Sequence, residues 1–204
     1  WNGDNVLLRD PTQWQVTRQW DYLAPEELSV LNLSNGVITP VGVEKSDLNG
    51  LSPMGKYVVM FSDRDYYAFN PATGEKVNIS KGIEFPLWDE DQDIPMDRMP
   101  YGMAGWTKND DRLLVYDRYD IWSLDPAGKT APVNMTAGQG RKNSITYRYI
   151  RTDREERFLT PGQDMLLSVF RHSDKENGFA MAKAGTAAAP KLLTIEPKSF
   201  TQVA

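Results

Sequence analysis

The sequence contains no cysteine and only one histidine. Without cysteine the chain has no disulfide bonds, no thiol catalysis and no cysteine-ligated metal. One histidine is too few for the multi-histidine zinc sites. We therefore expect no metal site and no cofactor, and we expect His172 to be a surface residue in the turn Arg171–Asp174.

The sequence also lacks an excess of positive charge, because its formal net charge is -5. A nucleic-acid-binding domain normally carries a basic patch, so we expect no nucleic-acid partner. The apolar runs, such as Tyr57–Phe61, have the length of a strand, whereas a membrane-spanning helix needs ~20 residues. We expect no membrane span in this chain.

The chain begins with Trp1 rather than methionine, and no signal peptide is visible. A targeting segment is removed from a mature exported protein. The absence of cysteine fits a bacterial exported protein. We therefore expect a periplasmic or cell-envelope location, with a signal peptide that is not part of this chain.

What the sequence does contain is aromatic residues and turn formers. Hydrophobic residues make up 40% of the chain, and they include 6 Trp, 9 Tyr and 7 Phe. This is enough to build a core and argues against disorder. Thirteen prolines and 15 glycines indicate many turns, and no long stretch has helical periodicity. The composition favours an all-β fold.

A pattern with a period of about 50 residues recurs four times. Each copy has a large apolar residue, then a tight turn rich in Gly, Asn, Asp or Pro, and then an apolar strand. The apolar anchors are Trp1, Leu51, Trp106 and Leu159, which are separated by 50, 55 and 53 residues. Such self-similarity is typical of repeat architectures.

A second landmark follows each anchor and alternates apolar with polar residues, as a half-buried strand does. Two copies end in the turn sequences Asn70–Gly74 and Asp125–Gly128, in which proline fixes one φ and glycine accepts a positive one. The four copies of this landmark are 28–36, 65–74, 120–128 and 178–185.

Each copy therefore supplies about four strands, and a unit of this size with four strands is a β-propeller blade. We predict one all-β propeller region over residues 1–204, with repeats at approximately 1–50, 51–105, 106–158 and 159–204. A β-sandwich with accidental similarity between its hairpins is the alternative fold.

The two ends of the chain leave two arrangements open. Trp1 begins inside a unit, and the tail from Ile195 to Val203 follows the last unit. The tail can complete the first blade and close a four-bladed ring. The interpretation that we favour is a partial arc of a larger propeller.

One long insertion, from Lys81 to Gly105, carries alternating acids at Asp89, Asp91 and Asp93. The start of a calcium loop has this spacing, but Ile94 stands where such a loop needs glycine and Pro100 stands where it needs glutamate. We expect a solvated acidic loop.

No Gly-x-Ser-x-Gly nucleophile elbow occurs in the chain. The nearest sequence is Gly50–Gly55, which is one residue too long and places Pro53 after Ser52. We therefore expect no catalytic residues in this chain. The alternative to chemistry is binding, for which the sequence offers two acidic pairs.

These pairs are Glu26–Glu27 and Glu155–Glu156. Paired carboxylates can hold the amino terminus of a peptide through charge-assisted hydrogen bonds, although solvated edge carboxylates are the simpler interpretation. Glu155 and Glu156 are our candidate substrate-binding residues. Sequons also occur at Asn32, Asn78 and Asn134. The last two share a repeat position, so we attribute them to blade structure rather than glycosylation.

At these residues the chain resembles the propeller region of prolyl oligopeptidase-family serine peptidases. The resemblance is to the dipeptidyl-peptidase and acylaminoacyl-peptidase-like branch that is common in Bacteroidetes. It covers about residues 28–194, and TolB-like propellers share the same blade consensus. The matching stretches are 105–110, 114–122 and 134–136, together with 51–57 and 70–75.

The resemblance implies a non-catalytic propeller that caps an α/β-hydrolase domain and admits or positions peptides. In that family the catalytic Ser, Asp and His lie in the hydrolase domain, and no residue here matches them. The family's amino-terminus-binding glutamates have aromatic neighbours that Asp153–Arg157 lacks. The alternatives are a TolB-like protein-interaction scaffold and a propeller glycosidase that uses paired carboxylates.

Overall fold

The structure is a computed structural model that describes residues 3–45 and 48–200. Within these ranges the strands form four antiparallel sheets, and in each sheet the strand order follows the chain. Sheet 1 contains β1 Asn5–Asp10, β2 Pro25–Asn32 and β3 Ile38–Lys45; sheet 2 contains β4 Asn49–Leu51, β5 Val58–Ser62, β6 Asp65–Asn70 and β7 Glu75–Asn78; sheet 3 contains β8 Met103–Trp106, β9 Leu113–Tyr116, β10 Ile121–Leu124 and β11 Val133–Asn134; sheet 4 contains β12 Ile145–Tyr149, β13 Asp164–Arg171, β14 Asn177–Lys183 and β15 Lys191–Glu196.

Helical structure is confined to short connections. The helix α1, Gln139–Asn143, joins sheet 3 to sheet 4, and single 3-10 turns lie at Thr12–Trp14, Thr17–Gln19 and Lys108–Asp110. Up-and-down sheets of three or four strands are the form of propeller blades. The predicted all-β, blade-like fold is therefore confirmed.

The second strands of sheets 2 and 3 explain why their sequences are apolar without alternation. In β9, Leu113 and Val115 pack toward sheet 2, whereas Leu114 and Tyr116 pack toward sheet 4. Neighbouring strand residues face opposite sides, so a strand covered on both faces is apolar throughout. The run around β5 has the same cause, because its residues divide between sheets 1 and 3.

These shared strands stack the sheets in chain order. Buried apolar clusters of the described residues lie between sheets 1 and 2, between sheets 2 and 3, and between sheets 3 and 4. In the same residues no such cluster joins sheet 4 back to sheet 1. The described part of the tail adds no strand to sheet 1. Ile195 and Glu196 belong to β15 of sheet 4, and residues 197–200 form no strand.

Two of the four anchors of the repeat mark the end of a strand. Leu51 is the last residue of β4 and Trp106 the last of β8. Leu159 lies between β12 and β13, where it forms a parallel bridge with Thr107. Trp1 and the tail residues 201–203 lie outside the described residues. Sheets 2 and 3 therefore begin just before their anchors, and sheet 4 begins 14 residues before Leu159.

The turns after β6 and β10 have the predicted chemistry. Gly74 has φ +75 and donates its backbone N–H to the carbonyl of Asn70 at 2.8 Å. Gly128 has φ +66 and donates to the carbonyl of Asp125 at 2.9 Å. Glycine adopts such positive φ values without steric cost, which explains why both turns end in this residue.

The Asn-x-Ser sequence at Asn78 closes sheet 2. The Ser80 hydroxyl donates to Asp65 at 2.6 Å and accepts the backbone N–H of Tyr66 at 2.9 Å, so it links β6 to the end of β7. Asn78 donates to the same carboxylate at 2.9 Å and accepts the Ser80 backbone N–H. The residues of this sequon thus form a hydrogen-bond network within sheet 2.

Sheet 3 repeats this network with Asn134 and Thr136. The Thr136 hydroxyl donates to Asp120 at 2.5 Å and accepts the Ile121 backbone N–H. The buried Asp120 also accepts the backbone N–H of Gly140, which begins the connection to sheet 4. The shared repeat position of the two sequons therefore corresponds to shared hydrogen bonds.

Candidate functional site

A cleft opens where β4 ends and the chain turns toward β5. The segment between β12 and β13 crosses to this point, so loops of sheets 2 and 4 form opposite walls. We call it the arginine cleft; it has a volume of about 550 Å³ and is lined by Leu51, Ser52, Pro53, Arg151, Arg154, Glu155, Glu156 and Arg157. Sites for small ligands have volumes of roughly 300–1,000 Å³.

The sheet 2 wall is fixed by a carboxylate of sheet 3. Asp110 is buried and accepts the Ser52 hydroxyl at 2.5 Å, together with the backbone N–H groups of Met54 and Lys56. Asn109 and Asp110 both adopt left-handed φ values, 63° and 58°. Non-glycine residues seldom occupy this region, and here it aims the Asp110 carboxylate at the turn.

Ser52 is thereby a structural residue. Its side chain is buried, its hydroxyl proton points to Asp110, and its oxygen accepts the Tyr57 backbone N–H at 3.0 Å. A nucleophile elbow requires a strand followed by a helix, whereas β4 is followed by a turn and by β5. This serine lacks both the exposure and the setting of a nucleophile.

The other wall is clamped at both ends. Ile150 donates its backbone N–H to Leu166 at 2.9 Å, and Leu159 donates to Trp106 at 2.7 Å. In addition, Lys108 donates its backbone N–H to Leu159 at 2.9 Å. Residues 151–157 are therefore a short loop held between sheets 3 and 4.

The structure places the two predicted glutamates in this loop, but in different roles. Glu156 is half-buried and accepts the Tyr149 hydroxyl at 2.5 Å and the side-chain amide of Gln163. Burial, followed by the neighbouring Glu156 carboxylate, raises the pKa of Tyr149, which keeps the hydroxyl protonated and donating. Glu155 is exposed, and its backbone N–H bonds to Asp153.

Sequence reasoning missed the three arginines that line the cleft. Arg151, Arg154 and Arg157 are exposed, and none of them forms an ion pair with another described residue. Their spacing of three residues was the available signal. The loop 151–157 as a whole is formally neutral, because Asp153, Glu155 and Glu156 balance the three arginines.

The other acidic pair does not form a site. Glu26 is buried and accepts Arg9 Nη1 at 2.6 Å and the Asn49 side-chain amide at 3.3 Å. Glu27 is exposed on the opposite face of β2. Consecutive strand residues point apart, so these two carboxylates do not converge.

The acidic insertion is tied down by internal contacts. Asp89 accepts the Asp91 backbone N–H at 3.0 Å, and the Asp91 carboxylate lies 2.8 Å from Arg118 Nη2. Across residues 3–45 and 48–200, no three His, Asp or Glu side chains are grouped as a metal site. Asp89 and Asp91 therefore have protein partners, whereas Asp93 is exposed.

His172 packs in its turn against aromatic rings. Its ring lies edge-on to Tyr119 and Phe170, with centroids 5.3 and 4.9 Å away. The Thr146 hydroxyl donates to the Arg118 carbonyl at 2.9 Å and lies 2.8 Å from His172 Nε2, so Nε2 carries the hydrogen. Burial, and then the nearby Arg118, lowers the pKa of His172, so the ring is neutral at pH 7.

No helix in the described ranges has the length and apolar content to cross a bilayer. A scan against protein-family models finds no match for the chain, and a search of the curated proteins finds no similar sequence.

Proposed function

We propose that this chain is a non-catalytic propeller segment of an exported serine peptidase, which binds or admits peptides and docks on a hydrolase domain outside this chain. The periplasm or cell envelope is the proposed location. The blade-like sheets and the sequence resemblance support this assignment. The observation that carries it is the arginine cleft, an open site built by loops of two different sheets.

The cleft suits a peptide in both shape and chemistry. Leu51 and Pro53 provide apolar wall, while the guanidinium groups and Glu155 provide polar groups. Ligand sites combine apolar surface with a few charged groups that orient the ligand. The buried Asp110 and the bonded Glu156 hold the two walls in place, and such preorganisation lowers the entropic cost of binding.

Binding of short peptides tests the proposal directly. Calorimetry should detect binding of unlabelled tetrapeptides to the purified chain, and the double variant Arg154→Ala/Arg157→Ala should weaken it. Arg18→Ala is the matched control, because Arg18 is equally exposed and lies in the β1–β2 loop. No binding at millimolar peptide would contradict the proposal.

The catalytic part of the proposal has a separate test. A fluorophosphonate probe, which labels activated serines, should leave this chain unlabelled and should label the whole peptidase. Labelling of the chain itself would show that it carries a nucleophile of its own.

A TolB-like interaction scaffold is the second candidate, and one observation favours it. The β1–β2 loop exposes Val16, Trp20 and Tyr22, of which Trp20 is 84% exposed. Exposed aromatic residues are common at protein interfaces. If this candidate is correct, Trp20→Ala/Tyr22→Ala should abolish capture of a protein partner and leave peptide binding at the arginine cleft unchanged.

A further inference from the structure

We propose that the arginine cleft selects peptides that carry a carboxylate, either on an acidic side chain or at the carboxyl terminus. This inference rests on the proposed function, and it adds the class of ligand. The paired glutamates in the sequence suggest that the ligand's amino terminus is bound. The described contacts instead leave the arginines available.

The charge of the lining supports this selection. Three guanidinium groups face two carboxylates, and one of these, Glu156, is already bonded to Tyr149 and Gln163. The neighbouring acid Asp153 accepts the backbone N–H of Glu155 at 2.8 Å and is not part of the lining. The lining thus carries a formal charge of +1, from three arginines and two glutamates, and the loop 151–157 as a whole, which includes Asp153, is neutral.

The geometry of arginine favours a carboxylate in particular. A guanidinium group presents parallel N–H donors that match the two oxygens of a carboxylate. Arg154 and Arg157 make no hydrogen bond through their side chains to other described residues, and Arg151 makes one, to the Glu156 carbonyl at 3.4 Å. With respect to the described residues, the side-chain donors of Arg154 and Arg157 are thus available to a ligand.

The backbone holds these side chains at the site. The loop is clamped where Ile150 pairs with Leu166 and where Leu159 pairs with Trp106. Between the clamps, Glu156 is held from two sides, so the arginines on either side of it start from a fixed position. Among the described residues the Glu155 carboxylate accepts no hydrogen bond, so it is available to a ligand's amino group.

Calorimetry with four tetrapeptides separates the two sources of the carboxylate. The probes are Ala-Ala-Asp-Ala amide, Ala-Ala-Asn-Ala amide, Ala-Ala-Asn-Ala with a free carboxyl terminus, and Ala-Ala-Lys-Ala amide. We expect at least one of the two probes that carry a carboxylate to bind about tenfold more tightly than the Asn amide, as an added charge-assisted hydrogen bond allows. The preference should shrink at high salt, because exposed charges are screened.

Variants show whether the arginines cause the preference. Arg154→Gln/Arg157→Gln should bind the carboxylate-bearing probe that the parent chain prefers no more tightly than the Asn amide. Arg154→Lys/Arg157→Lys should retain part of the difference, because lysine keeps the positive charge but lacks the paired N–H donors of a guanidinium group. Arg18→Gln should behave like the parent chain. Circular dichroism checks that each variant is folded.

The outcomes separate this inference from the proposed function. If the Asn or Lys amide binds as tightly as both carboxylate-bearing probes, carboxylate selection is wrong and peptide binding stands. If none of the four peptides binds, the proposed function fails and this inference fails with it.

Discussion

The interface between sheets 1 and 2 differs from the interface between sheets 3 and 4 in how it is held together. Counting only the residues that the structure describes, the first has five buried apolar residues in its cluster, and the second has twelve. The first also contains two buried carboxylates, Glu26 and Glu44. Glu26 binds Arg9 within sheet 1 and Asn49 of β4, and Glu44 of β3 binds Lys76 of β7.

This difference predicts unequal stability along the stack. Burial of apolar surface contributes about 25 cal/mol per Å², whereas an ion pair must offset the cost of removing its charges from water. Sheet 1 should therefore separate from its neighbour at a lower free energy than sheet 4 does. Regions of one protein commonly open at different free energies.

The largest expected effect is at the apolar interface. Leu167 is fully buried between sheets 3 and 4, and Leu167→Ala should lower the free energy of unfolding by about 2–5 kcal/mol because it leaves a cavity. Urea denaturation measures this loss. Leu193→Ala is the control, since Leu193 is 50% exposed; similar losses for both would mean that the cluster is not a tightly packed core.

Removal of Asp120 should cost nearly as much. Asp120→Ala leaves the N–H groups of Gly140 and Arg141 without their acceptor, and it leaves the Thr136 hydroxyl with Asn134 Oδ1 as its remaining acceptor. Unpaired buried donors cost about 1–3 kcal/mol each, although relaxation and water entry reduce the sum, so we expect a loss of about 3 kcal/mol. Amide exchange in α1 should accelerate most; unchanged exchange there would contradict the proposed link between sheets 3 and 4.

A smaller effect is expected at the charged interface. Glu44→Gln removes the ion pair with the half-exposed Lys76 and should cost about 1 kcal/mol. Hydrogen exchange should show reduced protection in β2 and unchanged protection in β13. Glu27→Gln, on the exposed face of β2, is the control. Equal loss of protection in both strands would show that the two interfaces open together.

The smallest effect is a pH dependence at sheets 3 and 4. The pKa of His172 lies below its ordinary value of 6.5, so the unfolded chain takes up a proton first as the pH falls. Stability is then fully present above about pH 6.5 and declines as the pH falls toward the lower folded pKa. Melting temperatures between pH 7.5 and 5.5 should fall less in His172→Gln; identical slopes would contradict this assignment.

The sequence could predict the parts of the structure that depend on residues close together in the chain. The repeat was visible because blade strands have local signals: the apolar run before Ser62, the Gly74 turn and the paired sequons. The bonds that build the cleft are not local. Ser52 meets Asp110 across 58 positions, and the cleft walls come from separate sheets, so the repeat alone did not reveal them.

The pair Glu155–Glu156 also shows that distant contacts cannot be predicted from neighbouring residues. Glu155 and Glu156 are equivalent in sequence, yet Tyr149 and Gln163 engage only the second. Strand alternation placed Glu26 and Glu27 apart and was predictable in principle. The loop conformation at 151–157 depends on contacts with Leu166 and with Trp106, and Trp106 lies far away along the chain.

The double burial of β5 and β9 has a consequence for how this chain tolerates length changes. Inserting or deleting one residue in either strand exchanges its two faces, and here each face belongs to a different interface. One such change would therefore disturb the packing of three sheets together. Changes in length should be accepted instead in exposed stretches of the connections, such as residues 93–95, where they shift no side chain between sheets.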